Sequence, residues 1–205
     1  MKDWNELATN ESIQKTISTL KTNGINPIVV ENSSQAKKKV FELIPEGAEV
    51  MNMSSVTIDS LGIAKEIQDS GKYNSVKNKL RTMDRKTQGL EMQKLGAAPE
   101  YAIGSVHAVT EDGKVLIASN TGSQLPAYSY ASAHVIWVVG TQKIVKDLDE
   151  GMKRIYEYIL PLESERINRA FNTTRGSNVS KILIINKERV EERLTLILVK
   201  EILGF

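Results

Sequence analysis

The apolar run from His134 to Val139, closed by Gly140, constrains this chain more than any other segment. Apolar residues at successive positions, rather than at every second one, mark a strand buried on both faces. A strand of that kind belongs inside a sheet with a layer above it and another below, the situation of a parallel sheet in an α/β protein.

The flanking sequence supplies such layers. Ile13, Ile17 and Leu20 recur at helical spacing, with Leu7 extending the segment backwards and Asn23-Gly24 stopping it. Pro27 to Val30 reads as a short buried strand. Ser33 or Ser34 is expected to cap a helix reaching Pro45, and Ala48 to Met53 reads as a second strand. This βαβ-like opening favours a parallel sheet with covering helices. Thr57-Ile58-Asp59 starts another helix, with Asp59 near its positive end. The stretch from Lys72 to Arg85 is polar and gives no clear period, whereas Leu90 and Leu95 lie on a helix that Gly96 to Pro99 terminates.

Tyr101 to Thr110 is strand-like and Val115 to Ser119 returns, with Glu111-Asp112-Gly113 between them. Asp-Gly between two apolar runs predicts a hairpin whose two turn positions both need positive φ. Leu148, Met152, Ile155 and Ile159 form one face of an amphipathic helix expected to end before Pro161. After a polar loop over Asn172 to Ser180, Lys181 to Asn186 is a strand. Leu194 to Val199 suits helix or strand and is read as a strand on its β-forming residues. No repeat or long linker divides the 205 residues. The expected architecture is one α/β domain over residues 1–205, an open, mostly parallel sheet with helices on both faces.

A domain of this size buries roughly 70% of the surface of its unfolded chain and needs no disulfide. The chain has no cysteine, which excludes thiolate metal sites, iron–sulfur ligation and cysteine nucleophiles within it. A formal charge of +2 and 5% aromatic residues offer no footprint for nucleic acid or a membrane surface. Lys37, Lys38 and Lys39 share a helix with Ala36, Val40, Phe41 and Ile44 and read as its solvated face. The opening Met-Lys-Asp-Trp-Asn-Glu lacks a signal-peptide core and no stretch reaches membrane-spanning length, so a cytoplasmic location is expected.

No glycine-rich dinucleotide fingerprint and no phosphate-loop motif is present. The two histidines, His107 and His134, have no ligand-spaced companions, so no metal is expected and no cofactor is assigned. His134, at the head of an apolar strand, reads as structural.

Three segments fall at predicted strand ends, where open parallel sheets bind ligands. Ser54, Ser55 and Thr57 bring hydroxyls and free N–H groups to a helix start, suited to phosphate or carboxylate. Plain capping by Ser55 or Thr57 explains the same residues without a ligand. Ser119, Asn120, Thr121, Gly122, Ser123 and Gln124 are small and polar around a glycine that lets backbone approach a ligand; they also suit an ordinary polar loop. Glu111 sits at the hairpin tip, where a turn needs no function, although a carboxylate in a cleft can act as base or nucleophile. Lys143 places a cation just past the apolar strand, and Arg166 and Arg169, placed after the long helix, suit an anion clamp.

Four segments in order resemble one family. Gly104-Ser105-Val106-His107-Ala108-Val109-Thr110-Glu111-Asp112-Gly113 resembles the Ala-Ile-Thr-Glu-x-Gly hairpin of lactate-utilisation (LUD) domains, and Ser119 to Gln124 their small-residue loop. His134 to Val145 resembles their apolar strand and Lys-Ile-Val helix start, and Arg154 to Leu162 their helix end. The sequence departs from the family at His107, where a small or amide residue is expected, and at Pro126. The resemblance implies the fold of glucosamine-phosphate deaminases, ribose-phosphate isomerases and CoA transferases. It also implies a link to L-lactate oxidation beside iron–sulfur or oxidoreductase subunits, a small anionic metabolite as ligand, and Ser105 among the ligand-binding residues. Thr110-Glu111-Asp112-Gly113 is further similar to the Ser-Glu-Asn-Gly motif of CoA transferases, which would make Glu111 a covalent nucleophile. The readings carried forward are a metabolite-binding LUD subunit, a stand-alone phosphosugar isomerase or acyl/CoA transferase using Glu111, and an interaction module without a ligand.

Overall fold

The computed structural model describes residues 3–205; Met1 and Lys2, part of the N-terminal stretch judged above, lie outside them. Six strands, numbered along the chain, form an all-parallel sheet. In spatial order they are β1 (Asn26–Val30), β10 (Leu194–Val199), β7 (His134–Gly140), β4 (Tyr101–Gly104), β2 (Glu49–Asn52) and β3 (Asn74–Ser75). β7 and β10 lie inside the sheet, which explains the apolar run of β7 and the apolar residues on both faces of β10, interrupted only by Thr195. Val135, Trp137 and Val139 face one core together with Leu194, Leu196 and Leu198. Ile136, Val138, Ile197 and Val199 face the other. Each of these side chains, fully buried, contributes about 1.5–3 kcal/mol of transfer free energy.

Helices α2 (Ser33–Glu42), α3 (Val56–Ser60) and α4 (Ile63–Asp69) cover the second face. The first face meets α1 (Asn10–Thr22) and a second sheet that the sequence reading did not separate. That sheet runs β8 (Ile144–Val145), β5 (Ala108–Thr110), β6 (Val115–Ser119), β9 (Lys181–Ile185). Against its outer side packs the helical segment Leu148–Phe171, through Ile155 and Ile159. The residues from 72 to 97 form β3, α5 (Val76–Arg81) and α6 (Arg85–Ala97), and α6 buries no side chain.

Several local expectations are corrected. Tyr101 to Thr110 is two strands in two sheets, because the chain leaves the first sheet after Gly104 and joins the second at Ala108. Gly104 marks the departure: a Cβ there would stand 1.9 Å from the Tyr128 hydroxyl. In the hairpin only Gly113 has positive φ, at 81°; the Gly113 N–H closes the turn on Thr110 O at 2.9 Å. A three-residue loop ending in a left-handed glycine replaces the expected two-residue turn. The α2 cap is Asn32, not Ser33 or Ser34, its side chain accepting the Gln35 N–H at 3.0 Å. Pro161 does not end the long helix. α7 (Leu148–Lys153) passes through a π-helical stretch, Arg154–Ile159, into α8 (Leu160–Phe171), so Arg166 and Arg169 lie on the helix rather than after it. Proline is tolerated at the junction where the π-helical stretch, closed by the Leu160 N–H on Ile155 O, passes into α8.

Candidate functional site

Parallel strands present their carboxyl ends on one edge, and chain leaving that edge brackets space for a ligand. Here a cavity of about 500 Å³ opens between the carboxyl ends of β2, β4 and β7, the second sheet and α8. β2 is followed by Ser54, Ser55 and Thr57, β4 by Ser105, and β7 by Lys143; all five line the cavity. Asn120, Thr121, Ser123 and Gln124 line it from the end of β6, and Arg166 from α8. Gly122 lies behind the loop: its φ of 85° and its N–H, donated to Ser119 Oγ at 2.8 Å, shape the turn.

Two crossings between the sheets meet at the cavity floor. Ser105 to His107 links β4 to β5, and the short turn Thr141–Lys143 links β7 to β8. With both ends tied into strands, Lys143 is held in place, only 2% exposed. Its Nζ donates to Ser105 Oγ at 3.2 Å, Thr57 Oγ1 at 3.3 Å and Val106 O at 3.3 Å. Thr57 in turn donates to Leu203 O at 3.1 Å, which ties residues near the C-terminus to the site. Among the described residues no carboxylate pairs with Lys143. Burial, and then the positive charge of Arg154, push its pKa down to about 7.

Arg154 is fully buried. One nitrogen, Nη1, donates to His107 O at 2.7 Å, while Nε and Nη2 have no partner; the guanidinium lies 5.3 Å from the Tyr158 ring centre. His107 accepts the Ala118 N–H on Nδ1 at 3.1 Å, which assigns the ring proton to Nε2. Burial, with Lys143 and Arg154 adding to it, pushes the His107 pKa down to about 3 and keeps the ring neutral. The cavity wall thus holds a buried amine, a neutral imidazole and several hydroxyls.

The mouth is more conventional. Arg166 donates twice to Glu163, from Nε to Oε2 and from Nη2 to Oε1, both at 2.7 Å. This pairing raises its pKa and occupies the face expected to clamp an anion. Asp59 and Glu163 both line the cavity. Ile155, Ile159 and Phe205 supply an apolar side.

Glu111 stands apart. It is not among the cavity-lining residues. Its carboxylate accepts from Ser12 Oγ at 2.8 Å and Lys15 Nζ at 2.9 Å on α1, and its carbonyl accepts from Thr19 at 2.8 Å. The hydrogen bond from Lys15, then that from Ser12, hold its pKa below the usual carboxylate value. In this position Glu111 pins the hairpin to α1. His134 stacks on Tyr101, ring centres 4.6 Å apart, on the first residue of β7.

Sequence reasoning missed His107, Asp59, Tyr128 and Glu163 as cavity residues, and Arg154 beneath the floor; Ser119, the first residue of the candidate loop, lines the cavity with it. Only His107 carried a signal, as a departure from the family pattern. Ile155 and Ile159 fit the periodicity of any buried helix face, which does not say that one end lines a cavity. Among the described residues no three His, Asp or Glu side chains gather as metal ligands, and no helix is long and apolar enough to cross a membrane.

Comparison with known proteins agrees with this architecture. The crystal structure of a DUF162 family protein from Deinococcus radiodurans superposes with a TM-score of 0.58 at 11% identity, covering 95% of this chain and 99% of that one. At that identity the likeness shows a shared fold. The eIF2B beta structure from Chaetomium thermophilum gives a TM-score of 0.38 at 14% identity, over 57% of this chain and 44% of the other. None of the curated proteins matches. The LUD domain pattern matches residues 13–199, nearly the whole length. The chain belongs to the LUD domain family.

Proposed function

We propose that this chain is a small-anion-binding subunit of a system oxidising L-lactate, and that its ligand occupies the cavity at the carboxyl edge of the parallel sheet. Family membership supports an association with lactate utilisation in general. One observation carries the ligand class: Lys143 is a buried amine in the cavity wall with only neutral oxygens as partners. A buried cation without a counter-charge is costly, and an anion entering the cavity supplies that counter-charge. The Ser105 hydroxyl and the His107 Nε2–H suit carboxylate or phosphate oxygens.

Lacking cysteine, the chain has no thiolates for an iron–sulfur cluster, so electron transfer in such a system falls to iron–sulfur or oxidoreductase partners. A transferase reading built on Glu111 draws no support from its position against α1.

Thermal denaturation with lactate, pyruvate, sugar phosphates and acyl-CoAs tests the site. A specific ligand at about 100 times its Kd stabilises the fold by about 2.7 kcal/mol, and Lys143→Met should remove that gain. If no anion raises the Tm of the wild-type chain, the cavity is not an anion site. Purification from the native host tests the subunit role; recovery without any redox partner counts against it.

A further inference from the structure

The hydrogen bonds around Lys143 define more than a charge. A tetrahedral nitrogen has three positions besides Cε, and here they face Thr57 Oγ1, Ser105 Oγ and Val106 O. The Thr57 hydroxyl hydrogen is committed to Leu203 O, and Val106 O is a carbonyl, so both of these only accept. Ser105 alone is free to reverse and donate. When the amine is neutral, its two hydrogens satisfy Thr57 and Val106, and its lone pair faces Ser105, a cavity-lining residue.

The other side of the same backbone stretch disfavours the ammonium form. Val106 O accepts from Lys143, and the next carbonyl, His107 O, accepts from the buried Arg154 guanidinium. Two cations therefore converge on adjacent peptide groups, and among the described residues no carboxylate is bonded to either. The titratable groups facing Lys143 are Arg154, which lowers its pKa, and the neutral His107. Beyond drawing an anion in, such neighbours leave more of the amine unprotonated, and an amine nucleophile needs its lone pair at neutral pH.

Resting on the anion-site reading above, we infer that Lys143 captures the carbonyl carbon of a small 2-oxo carboxylate as a reversible imine. The Nζ lone pair forms a bond to the carbonyl carbon, and the C=O π pair moves to oxygen, which takes a proton from the nitrogen. The resulting carbinolamine loses its hydroxyl with the remaining nitrogen proton as water, leaving C=N. Water addition reverses both steps. Ser105, displaced from the lone pair, is placed to donate to the carbonyl oxygen, and the His107 Nε2–H is a neutral donor for the carboxylate.

The test is reduction of the full chain with cyanoborohydride in the presence of pyruvate, read by intact mass and peptide mapping over a pH series. The expected product is a single adduct, heavier by the mass of pyruvic acid less one oxygen, on the peptide carrying Lys143. It should form near neutral pH, where surface lysines remain largely unmodified. Lys143→Arg should abolish it, and mapping of the wild-type chain decides the matter if that variant does not fold. Stabilisation by pyruvate without an adduct at Lys143 overturns the imine and leaves the anion site standing. Adducts scattered over exposed lysines, or no adduct and no pyruvate stabilisation, also overturn it; the anion site itself falls only if every other anion fails as well.

Discussion

Replacing Lys143 by methionine should change how stability depends on pH, by an amount the structure sets. In the unfolded chain this lysine has the ordinary pKa of 10.5, and in the fold it lies at about 7. Between those values the unfolded state binds a proton that the native state does not, so stability rises with pH across the window. The penalty is complete below about pH 7 and gone above about pH 10.5. The limiting slope is about 1.4 kcal/mol per pH unit. With the native group half protonated at the lower end, moving from about pH 7 to about pH 9 should stabilise the wild-type chain by about 2 kcal/mol relative to Lys143→Met. Methionine fills a similar volume without a titrating group, and other lysines titrate alike in both proteins, so the difference isolates this site. Urea denaturation of both proteins at the two pH values measures it. A gap between them that stays constant within about 0.5 kcal/mol would show that Lys143 keeps an ordinary pKa, and would refute the argument from burial and from Arg154.

Three further outcomes are expected. Arg154→Met removes a guanidinium with two unpartnered nitrogens, so it should cost no more than about 1 kcal/mol in urea denaturation or even stabilise; the pH window of Lys143 should move upward, and an unmoved window would show that the two cations do not interact. Gly104→Ala drives a methyl group against the Tyr128 hydroxyl and should lower stability by about 1–3 kcal/mol, an unchanged urea midpoint being the contrary result. Glu111→Gln breaks a partly screened pair with Lys15 and should cost at most about 1 kcal/mol while leaving ligand-induced Tm shifts intact; loss of those shifts would return Glu111 to the binding site.

Strand β7 was legible because burial on both faces writes itself as an apolar run, and β10 because its residues are β-formers; the expected parallel sheet with its covering helices is present. Positions at strand ends were legible for the same reason: once β2 and β7 are parallel, the residues after them share an edge, and Ser54 and Lys143 line one cavity; Ser105, placed inside a single expected strand, was indicated only by the family resemblance. Local chemistry fixed less. Pro161 read as a helix stop until a π-helical stretch carried the chain through it.

What the sequence by itself determined was the sheet-forming pattern, the absence of cysteine chemistry and the candidate segments. The tertiary structure decided that Tyr101 to Thr110 divides between two sheets, that Glu111 belongs to α1 and that Arg154 lies under His107. Periodicity records which face of an element is buried, because residues on one face recur at a fixed local spacing. The ionisation of Lys143 depends instead on its burial between separate elements and on the charge of Arg154, far from it in sequence. Only the folded chain sets their distances, and hence the charge of the amine.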